Sequence, residues 1–117
     1  MHQTIYVHGS AALEPDATDH LAHLAEAGHR LVLVTEDDHA AARLTTWPDR
    51  VTAIPDDPPR GSWFLTADPA ACGDRRPGVR TVLIGPREDG PRTTRCDATA
   101  RDVRDAVLEI LAADAMS

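Results

Sequence analysis

The residues best suited to chemistry fall where short β-favouring runs end. His8-Gly9-Ser10 follows Thr4-Ile5-Tyr6-Val7 and sets an imidazole, a glycine and a hydroxyl at one strand-to-loop turn. Imidazole exchanges protons near neutral pH, and glycine lets backbone N–H groups approach an anion closely. Thr35, after Leu31-Val32-Leu33-Val34, offers its hydroxyl to a phosphate or to the capping of a following helix. Asp68-Pro69 supplies a carboxylate for a metal, or the N-cap and first residue of a short helix. Arg87, Arg92 and Arg95 belong to a stretch, 75–95, with six arginines against two acidic residues, which can clamp an anion or balance the acidic first half. His20 and His23 stand three apart, a spacing open to a transition metal, but without a nearby third ligand they read as surface residues.

These positions need a scaffold, and the chain supplies alternating strands and helices. Thr4–His8 reads as a strand entering a turn, and Pro15-Asp16 opens a helix through Leu21, Leu24 and Ala25 that Gly28 stops. Arg30–Thr35 is a continuous apolar run, the pattern of a parallel strand buried on both faces. A short helix over 40–46, broken by Trp47-Pro48, leads to a weaker strand, Arg50–Ile54. The Pro- and Asp-rich stretch 55–61 is a connection. Ser62–Thr66 and Val79–Ile84 read as strands separated by a helical turn at Pro69–Cys72, and 85–96 is a loop. Val103, Val107, Ile110 and Leu111 stripe a last helix from about Asp97 to Ala113, capped by Asp97 or Thr99. This order predicts βαβ units in a single three-layer α/β/α Rossmann-like domain with a mostly parallel five-stranded sheet spanning residues 1–117. Ligands of such sheets bind at the carboxyl ends of the strands.

Composition narrows the classes of partner. The chain has 117 residues, enough for one core and too few for two. A net charge of −7 argues against nucleic acid and an anionic membrane surface, and 3% aromatic residues leave little for base stacking. All twelve basic residues are arginine, so lysine chemistry is excluded. No apolar run approaches the ~20 residues of a membrane span and no signal-peptide pattern opens the chain, so it reads as cytoplasmic, with Cys72 and Cys96 as free thiols. Trp47 and Trp63 read as packing residues.

At its strand ends the chain resembles the haloacid dehalogenase-like (HAD-like) hydrolases, mostly phosphatases. That family carries Asp-x-Asp-Gly-Thr after its first strand, where this chain reads Tyr6-Val7-His8-Gly9-Ser10. A Thr or Ser ends the family's second strand, as Thr35 does here, and a basic residue follows, with Arg50 or Arg60 in that stretch. An acidic motif then follows a strand, often with a second acid four residues on. Here those positions are Asp68 and Cys72, before Pro77-Gly78-Val79 and a strand ending at Gly85. The resemblance covers most of the chain and is stronger in element order than in catalytic residues.

The resemblance implies a chemistry that the residues depart from. In the family the first Asp attacks phosphorus, the second protonates the leaving group and activates water, and Mg²⁺ sits on the first Asp and the acidic motif. Tyr6 is a poor nucleophile and a poor ligand for a hard ion, and Asp68 is a lone retained carboxylate. The leading expectation is therefore a capless pseudoenzyme acting as a binding or regulatory domain, presenting its open strand-end face to a protein partner. A second is a hydrolase with altered residues, with His8 as acid/base, Asp68 as ligand to Mg²⁺, and Tyr6, His8, Thr35 and Asp68 clustered about a pocket. A third is a sensor of phosphate or a small anion, cradled by Ser10, Thr35 and the loop arginines, the candidate ligand-binding residues being Tyr6, Gly9, Ser10, Thr35, Arg87 and Arg92.

Overall fold

The structure is a computed structural model that describes residues 3–12, 16–36, 49–52, 61–68, 78–85 and 98–116. Six strands form one sheet: β1 (Thr4–His8), β2 (Arg30–Val34), β3 (Arg50–Val51), β4 (Ser62–Thr66), β5 (Val79–Ile84) and β6 (Ala98–Ala100). Their order is β3-β2-β1-β4-β5-β6, and every pair is parallel. The sheet runs outward from β1 to β3 and then returns to β1's other side with β4. Strand order thus reverses between β1 and β4, the place where open parallel sheets take their ligands.

Three helices are present among the described residues: α1 (Gly9–Ala12), α2 (Ala17–Glu26) and α3 (Val103–Met116). The sixth strand and α1 correct the sequence reading. Residues 98–100 were expected in the last helix, but they pair with Val82, Leu83 and Ile84 of β5. A three-residue strand has no periodicity of its own, so only its partner defines it. The cap accordingly moves from Asp97 or Thr99 to Asp102, whose Oδ1 accepts the Asp105 N–H at 2.8 Å, while Asp105 Oδ2 accepts the Arg101 N–H at 3.1 Å. Gly9-Ser10, expected as a turn after the first strand, begins a single helical turn. The helix over 40–46, the turn at Pro69–Cys72, Trp47, Arg60, Arg87, Arg92, Arg95 and both cysteines lie outside the described residues.

Helix α2 ends by local chemistry legible in its residues. Gly28 takes φ 97°, a left-handed conformation that favours glycine. Its N–H donates to Ala25 O at 3.0 Å and the His29 N–H to Leu24 O at 3.1 Å, the paired bonds of a Schellman stop. Beyond it, β2 begins at Arg30, whose guanidinium bonds Asp49 at 3.0 Å beside β3. That bond and the positive charge hold the Asp49 carboxyl below its usual range. Both groups face water, so the pair adds little stability.

The pleat of the sheet separates two apolar faces. Ile5 and Val7 of β1, Leu33, Leu65, Val82 and Ile84 share one cluster with Leu21 and Leu24 of α2 and Val103, Ala106, Val107 and Ile110 of α3. Tyr6, Val32, Val34, Phe64 and Val79 form the cluster on the opposite face. Strands apolar on both sides explain the continuous hydrophobic runs of β2 and β4. Trp63 packs into the helix-side core, donates its Nε1–H to Gln3 Oε1 at 3.2 Å and lies 5.2 Å beneath the Arg80 guanidinium.

Candidate functional site

The carboxyl ends of β1 and β4 carry one connected polar group. His8 closes β1 and Ser10 lies in the first turn of α1, so an i, i+2 spacing across the strand-to-helix junction turns both side chains toward each other. His8 Nδ1 stands 2.7 Å from Ser10 Oγ and accepts the Ser10 backbone N–H at 3.3 Å. Ser10 Oγ also accepts the Ala67 N–H from the end of β4 at 3.0 Å and lies 3.5 Å from Thr66 Oγ1. Thr66, fully buried, accepts the Asp68 N–H at 3.0 Å and donates to Asp68 O at 3.4 Å. Phe64 meets the His8 ring edge-on, with centroids 6.1 Å apart.

The backbone donor fixes the proton positions. An amide N–H can only donate, so His8 Nδ1 carries a lone pair and the neutral ring bears its proton on Nε2. With that lone pair 2.7 Å from Ser10 Oγ, the hydroxyl is the donor of the contact, while Oγ accepts from the Ala67 N–H. The network therefore ties the first turn after β1 to the tip of β4 across the point of strand reversal.

The residues expected to share a pocket do not all meet. Tyr6 lies on the same sheet face as His8 but is only 5% exposed, packed among Val32, Val34 and Phe64. Burial pushes its phenol above the ordinary value, and the charge of Arg30 opposes this in smaller part. Tyr6 is the chain's single tyrosine, so phenolate absorbance reports this position alone. On alkaline titration the folded protein should ionise above pH ~10, and the denatured chain at about 10. The sign follows: with the folded value raised, this group's stabilising contribution is complete below the unfolded value and is lost as pH rises through the folded one. Thr35 follows the last residue of β2, buried, and its backbone N–H bonds Val51 O at 3.0 Å. Asp68 is exposed and joins the network through its backbone.

The donors described at these strand ends do not fit Mg²⁺. Such an ion asks for near-octahedral oxygen ligation, usually through carboxylates. Among the described residues, Asp68 is the carboxylate beside the ends of β1 and β4, and the Ser10 and Thr66 hydroxyls there are already hydrogen-bonded. Among the described residues no group of three His, Cys, Asp or Glu side chains could hold a metal. His20 and His23 do not form one either, and His23 Nδ1 instead lies 3.8 Å from Glu26 on the surface of α2.

No protein-family model, curated protein or solved structure matches this chain. The site therefore rests on its own geometry. Local pattern does not single out two of its members: Thr66, and Ser10 in its role as hydroxyl partner to His8. The signal was available in part, since Ser10 stands two residues beyond His8 and Thr66 ends a strand. That β4 lies beside β1 is what joins them, and adjacency of distant strands is not written in local pattern. Among the described residues no helix is long and apolar enough to cross a membrane.

Proposed function

We propose that this chain is a capless, Rossmann-like three-layer domain of HAD-like type that has lost phosphatase chemistry and works as a binding or regulatory domain. One observation carries the reading: the position of the family's nucleophile is occupied by a tyrosine buried in the apolar cluster beside Val32 and Phe64. A phenol so placed is kept protonated and has no path to an incoming phosphorus. The altered hydrolase built on Tyr6, His8, Thr35 and Asp68 loses its first member for the same reason.

Binding is assigned to the open strand-end face at the β1–β4 reversal, where His8, Ser10 and Asp68 reach solvent to different degrees. A protein partner is the favoured occupant, because an uncapped face cannot exclude water from a small substrate. The net charge of −7 speaks against a nucleic-acid partner, and a cytoplasmic setting belongs to the proposal. The test is hydrolysis of a simple aryl phosphate with Mg²⁺ present. No release above that of His8→Ala is expected, whereas turnover that His8→Ala abolishes would overturn the reading.

A further inference from the structure

We propose that Ser10 is a nucleophile with His8 as its general base, and that this pair accepts acyl groups from activated carboxylic esters at the carboxyl ends of β1 and β4. The proposal stands apart from the binding reading, since it uses neither Tyr6 nor a phosphate. Three features of the geometry carry it. The 2.7 Å separation of His8 Nδ1 and Ser10 Oγ lies within the reach that proton abstraction requires. The Ser10 N–H contact leaves Nδ1 as the unprotonated nitrogen, and the Ala67 N–H fills an acceptor position on Oγ, so the hydroxyl hydrogen points along the line of transfer. Both side chains are half-exposed, so a reagent can reach them.

The step balances within the pair and its substrate. Ser10 Oγ bonds to the carbonyl carbon as its proton moves to His8 Nδ1, the carbon–oxygen bond to the leaving group breaks, and that group takes the proton from Nδ1. Water then repeats the sequence, releasing a carboxylic acid and restoring the serine. Protonating Nδ1 displaces the Ser10 N–H contact, which at 3.3 Å is the longer of the two bonds to that nitrogen. Phe64 against the ring edge and Ala67 on the hydroxyl hold the pair in place meanwhile.

The experiment treats the full chain with a fluorophosphonate, which Ser10 would attack with loss of HF, and with para-nitrophenyl acetate, each followed by intact mass and peptide mapping. One adduct per chain is expected, on Ser10, absent from Ser10→Ala and slowed in D₂O. His8→Asn keeps an acceptor for the Ser10 N–H and a good helix cap but removes the base, and should slow labelling by about 100-fold or more. An unchanged urea midpoint in His8→Asn would show that the loss is not structural. No adduct, an adduct elsewhere, or labelling of Ser10 with neither a solvent isotope effect nor a dependence on His8 would overturn the proposal and leave the pair as a helix cap. Because the probes are a fluorophosphonate and an ester, this failure is separate from any aryl-phosphate turnover.

Discussion

Tyr6→Asp should unfold the protein at neutral pH and should not create a phosphatase. The substitution writes back the carboxylate of the resembled family, yet position 6 faces Val32, Val34, Phe64 and Val79. Losing a buried aromatic ring from such a cluster costs about 3–5 kcal/mol. Enclosing an unpaired carboxylate adds several more, as the price of desolvation without a partner. Set against a total stability of about 5–15 kcal/mol for a domain, the combined loss leaves little or no folded population. Far-ultraviolet circular dichroism and urea unfolding measure it. The pH dependence has a definite sign: burial raises the folded-state pKa above the unfolded ~3.9, so the variant is least destabilised below pH ~4 and loses stability as pH rises. A folded Tyr6→Asp with Mg²⁺-dependent phosphatase activity would place residue 6 within reach of substrate and refute the pseudoenzyme reading.

Leu65→Ala is expected to destabilise by about 2–5 kcal/mol, because the cavity it leaves lies where few neighbours can collapse. Leu65 is completely buried in β4, between β1 and β5, and shares its cluster with side chains of α2 and α3. It also precedes Thr66 and Ala67, which hold Ser10, so loosening the strand tip should slow any Ser10 labelling as well. The surface comparison is Leu108→Ala on α3: Leu108 is 54% exposed, and its change should stay within about 0.5 kcal/mol. A lower urea midpoint at constant m-value for Leu65→Ala, beside an unmoved midpoint for Leu108→Ala, checks both. Equal midpoints for the two variants would contradict the assigned core.

The elements with strong local signals could be read without the fold. β1, β4 and β5 fall where apolar, β-branched and aromatic runs place them, and Gly28 stops α2 because its left-handed φ is locally favourable for glycine. The net charge of −7 and the α/β alternation are likewise properties of the chain itself. β6 was not legible, since three residues become a strand only through bonds that β5 supplies, and the cap of α3 moved to Asp102 with it. The candidate site divides the same way. His8, Ser10 and Asp68 stand out by residue type and by their places at strand ends. Tertiary structure alone decided that Tyr6 turns into the core, that β4 lies against β1, and that Ser10 thereby meets Ala67 and Thr66 as well as His8. The physical reason is sequence separation: a hydrogen bond between residues 10 and 67 depends on sheet order, which hydrophobic packing of the whole chain selects and no short window encodes.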